Sequence, residues 1–539
     1  MLIGKLDHIT DIDELRAAMY AEIVQRDAEI KQRDAEIVQR DAEIARRDAA
    51  HAGLVAKLEK RDDLIERLKA SIARLQKLKF GASAERFDPA QRALFDQAID
   101  EDVAANEAAI EEIAQSEAPK APRAERRQPK RQPLPEDLPR VEVRIEPESC
   151  NCDACGGALH PIGEEVSEKL DMKPAEFFVR RTIRPKLACR ACETMHTPPA
   201  LPSIIDGGIP APGLLAWVLV SKYADHLPLY RQREMVLRSG VDLPVSTLSS
   251  WVGASGYALE PLVALLRQEL RADKVVHADE TPLQMLDPGR GQTRTAYLFA
   301  YRRGEAEEPP IIVYDYAENR SGKHVRSFLE GYGGALVVDD YVGYKAFFES
   351  GRVREIACWA HARRKFFELH QANQSTIASE ALARMAAIHA VEAEAGTQEA
   401  PSRHVLRQER SWPLVADLFQ WLKGLRPKVN SGSGTARAMD YLLKREPAFT
   451  AFLDDGCFPI DNNPVENAIR PIALGRKNWL FAGTLEAGQR AANVMSLIQS
   501  AKANGHDPMA YLTHVLDRLP AQPHDRLHEL LPHLWKPGA

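Results

Sequence analysis

The spacing of apolar residues changes character several times along the chain. Near the amino end the pentapeptide RDAEI recurs at 26–30, 33–37 and 40–44, a period of seven. Ile23, Ile30, Ile37 and Ile44 hold one heptad position, and past His51 the series continues through Leu58, Ile65 and Ile72. The partner position carries Arg26, Arg33, Arg40 and Arg47, then Leu54, Leu68 and Leu75, with Arg61 interrupting. A seven-residue period keeps one seam turned to a partner helix. Residues 15–80 are therefore expected to form a coiled coil, weak where Arg sits in the seam and self-associating over 54–78. A solvated single helix is the alternative for 21–50, since helices without a packed face are marginal.

Beyond it the pattern thins. An acidic helical stretch leads into 117–140, which holds six prolines, few apolar residues and many charges. That composition predicts an extended linker, so 81–143 is taken as a connector. Residues 144–200 hold a cysteine-rich segment, and 201–265 carry short helical patterns broken at Gly240–Pro244. From 272 the period shortens to that of strands: VVHADET, TAYLFAYR, PIIVYDYA and GALVVDDY, separated by polar turns, with a fifth run, REIACWA, leading into a basic helix. Helical spacing then fills about 370–455. A Pro- and Asn-rich turn at 459–464 opens another helix, and 491–539 closes the chain as a helical segment. The expected fold class is multidomain α/β, with a catalytic unit at 266–490.

Composition narrows the function. The chain has 539 residues, 45% apolar and 27% charged, which fits three to four globular domains. No apolar run approaches the ~18–20 residues of a membrane span, and the opening MLIGKLDHITDIDE has no signal-peptide pattern, so a cytoplasmic protein is expected, with no membrane partner. The net charge of −6 argues weakly against nucleic acid, but it averages over patches. Residues 98–117 carry seven acids and no Lys or Arg, whereas 119–133 carry six bases and one acid. A polyanion responds to such patches rather than to the average.

Five of the seven cysteines fall between Cys150 and Cys192. Clustering in an intracellular chain points to metal. Cys152-x2-Cys155 and Cys189-x2-Cys192 each place two thiolates on one ion, and four make a closed tetrahedral Zn²⁺ site that stabilises a fold without catalysing. Cys150 competes as a ligand. The strand-like FFVRRTIRPKLAC between the pairs suits a zinc ribbon, with Arg180, Arg181, Arg184 and Lys186 available to nucleic acid. Downstream, YRQREMVLRSGVDLPVSTLSSWV reads as two helices around a glycine turn, with Arg231, Arg233 and Arg238 on the first and Ser246 or Thr247 capping the second. This is either a helix-turn-helix or an ordinary helical hairpin.

Three acids stand where strands end or a helix begins. Asp279 ends VVHADET, Asp339 ends ALVVDDY, and Glu466 is the third residue of a helix capped by Asn463 with Pro464 first. Each has a plainer reading as a turn or capping-box residue, and Asp340 competes with Asp339. Together they can converge, and converging carboxylates call for a hard cation such as Mg²⁺ or Mn²⁺. Arg363, Arg364 and Lys365 follow the fifth strand, and Arg470, Arg476 and Lys477 flank the last acid, as a phosphate backbone requires. Trp359, His361 and Trp479 lie beside them. An aromatic there would stack on an unpaired base, although a core position suits Trp479, and His361 would touch phosphate or move a proton.

HADET, VVDDYVGYKAFF, CWAHARRKFFEL and IDNNPVENAIRPIALGRKNWLFAGT resemble the DDE transposases of insertion-sequence family sixty-six. LQKLKFGASAERF and the CDACGGAL–CRACET pair resemble the same family's segment after its coiled coil and its zinc-binding domain. The resemblance implies an RNase H-like mixed-sheet core with a helical insertion. It implies Asp279, Asp339 and Glu466 as catalytic, metal-binding acids holding two Mg²⁺ (or Mn²⁺) ions, beside one structural Zn²⁺. It also implies cleavage and strand transfer on terminal inverted repeats and target DNA, with self-association through the coiled coil and small accessory proteins of the same element as further partners, acting at the bacterial nucleoid. The chain departs from the family pattern at Asp340, where Gly is common, and at Asn467, where Arg is common. The rival expectations are a DNA-binding regulator with an inactive core, a structure-specific nuclease on the same fold, and a coiled-coil scaffold.

Overall fold

The computed structural model describes residues 138–146, 158–173, 176–287, 290, 292–304, 309–479 and 481–537, stretches 64–73 and 102–110, and single positions at 17, 19–21, 24–26, 134 and 136. Most of the expected coiled coil and linker lies outside the described residues, as do Cys150, Cys152 and Cys155. Within 64–73 the chain is helical, as its late heptads predict. No described helix is long and apolar enough to cross a membrane.

The first sheet has four strands. β1 (Arg140–Arg144), β2 (Leu159–Lys173) and β3 (Glu176–Cys189) pair in the order β1-β3-β2, and β4 (Met195–His196) also pairs with β3. β1 begins at the end of the segment expected to be connector. β2 and β3 run antiparallel from Lys173↔Glu176 to Leu159↔Cys189, with an irregularity between Pro161 and Gly163. Four helices follow: Pro212–Tyr223, Leu229–Leu237, Val245–Ala258 and Glu260–Ala272. Pro244, not Ser246 or Thr247, occupies the cap position of the third, and no side chain caps it. Its start is set by the fixed φ of proline.

The second sheet has five strands: β5 (Val275–Asp287), β6 (Gln292–Arg303), β7 (Ile312–Ala317), β8 (Ala335–Val338) and β9 (Arg354–Ala357), in the order β7-β6-β5-β8-β9. β5, β6 and β7 form an antiparallel meander. β8 and β9 run parallel to β5. All four residues of β8 are buried, as expected of a parallel strand covered on both faces. Alternation divides them: Leu336 and Val338 join one core with Val276 and Ala278, while Ala335 and Val337 join a second with Val275 and Ile356.

The second core belongs to a helical insertion between β9 and the helix Asn463–Trp479. It starts earlier than the expected 370, with Trp359–Asn373, and continues through Thr376–Ala395, Trp412–Leu425 and Gly434–Leu443. Trp359 is wholly buried, edge-on to Phe419, Phe449 and Phe452, and donates its indole N–H to the Phe449 carbonyl at 2.9 Å. It is a core residue, which corrects the expectation of a base-stacking aromatic at this position.

The outer edge of β7 is closed by a helix instead of a sixth strand. On Leu485–Ala503, Ser500 Oγ accepts the Ile312 N–H and donates to the Ile312 carbonyl, both at 2.9 Å, and Ser496 Oγ accepts the Tyr314 N–H at 2.8 Å. Such capping removes a free edge that would otherwise template aggregation. The helix lies so close that a Cβ on Gly488 would stand 2.1 Å from the Tyr316 ring. The same helix binds the acidic stretch: Asp102, 1% exposed, pairs with Arg490 and accepts from Thr484. Burial raises its carboxyl above the usual range against the pull of Arg490. Ser500→Ala should leave the Ile312 groups unpartnered and cost about 1–3 kcal/mol, read as a lowered urea midpoint at unchanged slope. An unchanged midpoint would show that the edge is not held this way.

Candidate active site

β5 and β8 are hydrogen-bonded in parallel over Val275↔Ala335, Val276↔Leu336 and His277↔Val337. Two residues on, in the same register and on the same face, stand Asp279 and Asp339. Neighbouring strands are ~4.8 Å apart, so the end of this ladder brings the two acids side by side. β5 itself does not end at Asp279, as the sequence suggested. It continues to Asp287 on β6 alone, and Ala482 bridges its far half. What ends just before Asp279 is the parallel pairing, whose last pair is His277↔Val337, where β8 gives way to a loop.

Asp339 Oδ1 accepts the Tyr341 N–H at 2.9 Å, a local turn bond that directs the carboxylate. Asp340 points elsewhere: it is 41% exposed and paired with Lys345 at 3.6 Å and Arg445 at 3.7 Å. Arg445, from the helical insertion, also donates to the Asp339 carbonyl at 3.0 Å and to Glu355.

The helix Asn463–Trp479 carries the third acid. Its first intrahelical bond runs from the Glu466 N–H to the Asn462 carbonyl at 3.2 Å. Asn462, not Asn463, is thus at the cap position, and Glu466 is the fourth helical residue rather than the third, so a capping-box role does not apply. Asn462 is wholly buried. Its Nδ2 donates to the Ala278 carbonyl at 2.9 Å, its Oδ1 faces His277 Nδ1 at 2.9 Å, and its N–H donates to Cys358 Sγ at 3.2 Å. Asn462 therefore ties the start of the helix to β5 through its side-chain amide and to the end of β9 through its backbone N–H. An amide oxygen only accepts, so Nδ1 of His277 carries the ring proton. Burial holds that imidazole neutral, down at about 4.

The carboxyls feel one another's charge. Burial, the neighbouring Glu280, and the charges of Asp339 and Glu466 push the Asp279 carboxyl up to about 8, against one backbone bond from the Glu280 N–H. Glu280 lies on the opposite face of β5. There it accepts from Arg320 Nε at 2.6 Å and from Tyr344 Oη at 2.9 Å, and the Arg320 guanidinium stacks 3.9 Å from the Tyr341 ring. Asn462, Glu280, Arg320 and Tyr344 were not singled out in the sequence. The only signal for Asn462 was its place in the Asn-rich turn.

Glu466 Oε2 lies 3.6 Å from Arg364 Nη2, and Oε1 lies 3.5 Å from His361 Nδ1. Among the described residues neither Oε1 nor His361 Nδ1 has a hydrogen-bond partner, though both atoms are buried. Buried orphaned acceptors beside mutually repelling carboxylates are the condition a cation relieves, and an all-oxygen set of three acids suits a hard divalent ion.

The other expected contacts divide. Arg363, Arg364, Lys365 and Arg470 are exposed. Lys365 sits 4.4 Å from the centre of the Tyr441 ring. Arg476 donates to the Pro282 carbonyl at 2.8 Å. The side chains of Lys477 and Trp479 lie outside the described residues. Arg231 is exposed and lies within reach of the Tyr230 hydroxyl at 3.2 Å, whereas Arg233 is tied to Asp242 at 3.0 Å. In the first sheet Arg180 pairs with buried Asp171 and Arg184 with Glu165, both at 2.5 Å, and Arg181 faces Glu142 and Glu168. Arg180 and Arg184 are thus engaged by acids of the neighbouring strand, whereas Arg181 is 42% exposed. Cys189 is buried at the end of β3, and Cys192 is exposed in the turn that follows, where Glu193 takes a φ of 57°.

A carboxyl whose folded value lies above its unfolded value of about 4 holds its proton in the native state while the unfolded chain has lost it. Neutral His277 contributes the opposite slope between about 4 and about 6.5, so the cation-free protein should lose stability through Asp279 most plainly as pH rises from about 6.5 through about 8, and added Mn²⁺ should restore it at the upper end. Asp279→Asn should flatten this profile, measured by urea unfolding at several pH values. A wild-type profile that matches that of Asp279→Asn between about 6.5 and 8 would refute the raised Asp279.

Similarity to known proteins follows the same outline. The family model described as "Transposase IS66 family" matches residues 207–490. Models for the zinc-finger binding domain of transposase IS66 and the IS66 C-terminal element match 149–193 and 496–533. One described as "Transposase C of IS166 homeodomain" matches 67–143. Two relatives come from Sinorhizobium fredii (strain NBRC 101917 / NGR234). The uncharacterized protein y4jD is 37% identical over 503 residues, covering 90% of this chain and 98% of that protein. The uncharacterized protein y4qI is 36% identical over 562 residues and is covered end to end, as is this chain. With more than half of its length matched by one family model and full-length relatives of this identity, the chain belongs to the IS66 family and is a DDE-type DNA transposase.

Proposed function

We propose that Asp279, Asp339 and Glu466 are the catalytic acids of this transposase, on a core of RNase H-like type, and that together they hold divalent metal. The observation that carries the reading is the parallel ladder ending at His277↔Val337, which aligns the two Asp residues, with Glu466 delivered beside them by Asn462. The strand order β7-β6-β5-β8-β9, with its first three strands antiparallel and the other two parallel to β5, supports the core assignment. The ions in question are Mg²⁺ or Mn²⁺, two per site, and when bound they would activate an attacking oxygen and stabilise a leaving one.

The chain's own residues do the rest. Two in-line displacements at phosphorus make up the reaction: water releases a 3′-hydroxyl at the element's end, and that hydroxyl then attacks target DNA. Arg364, beside Glu466 and over half exposed, is positioned to hold a phosphate of the scissile strand, with Arg363, Lys365 and Arg470 along the same rim. Arg476 and Lys477 would extend that path. Arg231 and Arg233 on Leu229–Leu237 would contact terminal-repeat DNA, with Arg231 the more available.

Further parts of the reading are the division into coiled coil, connector, zinc ribbon, helical domain and catalytic domain at the limits given above. Cys152, Cys155, Cys189 and Cys192 would hold one structural Zn²⁺. Self-association through the heptads would bring two ends together, and small accessory proteins of the element would assist.

Purified protein with Mn²⁺ and labelled duplex carrying the element's ends should cut at the repeat tips and join them to target. Asp279→Ala, Asp339→Ala and Glu466→Ala should each lower cutting by at least about a thousandfold, ~4 kcal/mol of barrier, while retaining duplex binding. Asp340→Ala should keep activity. Cutting that survives Asp339→Ala would shift the second acid to Asp340. Binding without cutting in the wild type would favour a regulator.

A further inference from the structure

Cys358, His361 and Glu466 make a second donor set that shares Glu466 with the three acids. Their ligand atoms all lie within 4.8 Å of one another. Cys358 stands at the cap position of Trp359–Asn373 and His361 is the third residue of that helix, so a Cys-x2-His spacing puts both on one turn. Glu466 comes from the facing helix. His361 Nδ1 and Glu466 Oε1, 3.5 Å apart, are both buried without a hydrogen-bond partner among the described residues.

We propose that Cys358, His361 and Glu466 form a site for a thiophilic divalent cation of the Zn²⁺ class, which captures Glu466 from the acid cluster. Sulfur and imidazole nitrogen select such an ion over Mg²⁺. With bonds of about 2.0–2.3 Å, neighbouring ligands on a tetrahedral zinc stand roughly 3.3–3.8 Å apart. The pair at 3.5 Å already meets that spacing, and the widest separation needs about an ångström of movement. The Asn462 N–H donates to the sulfur at 3.2 Å, an outer bond of the kind that steadies a metal thiolate. Burial pushes the Cys358 thiol up to about 12 in the metal-free chain, so the ion must displace its proton on binding. Three protein ligands leave one position open for water or a phosphate oxygen.

The softer ion would take Glu466 Oε1, the oxygen that faces His361, and so compete with DNA cleavage for this acid, making the enzyme sensitive to zinc-class metals. That consequence rests on the catalytic reading of Glu466. The site itself does not.

The test is Cd²⁺ binding to the full-length chain in the absence of DNA, followed by calorimetry and by the ultraviolet sulfur-to-cadmium charge-transfer band. Wild type should bind one equivalent more than Cys358→Ser, with a matching loss of band intensity. His361→Ala, a partly exposed position, should weaken that equivalent at least about tenfold while its circular dichroism is unchanged. Asp279→Ala should retain the equivalent, so the cadmium result stands or falls separately from the cleavage assignment. Equal stoichiometry and affinity in wild type and His361→Ala would overturn the site, as would loss of the equivalent in Asp279→Ala with Cys358 intact.

Discussion

β5 and β8 run parallel and in register up to His277↔Val337, two residues before Asp279 and Asp339, and that register sets both acids on one face. A slip of one residue would turn one acid to the opposite face, toward the side where Glu280 is neutralised by Arg320. The register is held by burial on both faces: Val275, Val337 and Ile356 on the insertion side, Val276, Leu336 and Val338 on the other. Burial is the main force that raises Asp279, and the charges of Glu280, Asp339 and Glu466 add to it. The fold tolerates the acid cluster because the remainder of the sheet is so thoroughly buried.

The helical insertion is a structural partner of this centre as well as a separate core. Arg445 reaches back to the Asp339 carbonyl, and Trp359 anchors the helix that presents His361 and Arg364. Asn462 completes the frame, since its three bonds join the strand of the first acid, the helix of the third and the cysteine at the end of β9. Removing the amide would leave the Ala278 carbonyl and His277 without their partner in a dry interior, where an unmet polar group costs about 1–3 kcal/mol. It would also release the angle at which Glu466 enters.

Much of this was legible in the sequence. Period-two runs of Val, Ile, Tyr and Phe located all five strands of the second sheet, because buried strands need continuous apolar faces. The three acids stood out through their positions at run ends. Register was not legible: nothing local says that Asp339, not Asp340, follows the ladder onto the right face, and the choice emerges only from pairing with β5 and from Arg445 drawing Asp340 aside. Asn463 looked like the cap because Pro464 follows it, yet tertiary bonds moved the cap to Asn462. Arg180 and Arg184 looked like phosphate contacts because charge alone cannot reveal a cross-strand partner. Trp359, beside a basic run, gave no sign of the aromatic pocket assembled from residues 60 to 93 positions away.

One measurement addresses the convergence of the three acids directly. Fe²⁺ in place of Mg²⁺, with ascorbate and peroxide, generates radicals that cut the polypeptide beside the bound ion. Segments around Asp279, Asp339 and Glu466 should be cut together, and excess Mg²⁺ should suppress all three in parallel. Cutting confined to one of these segments, or cuts that respond to Mg²⁺ independently, would contradict a single shared centre.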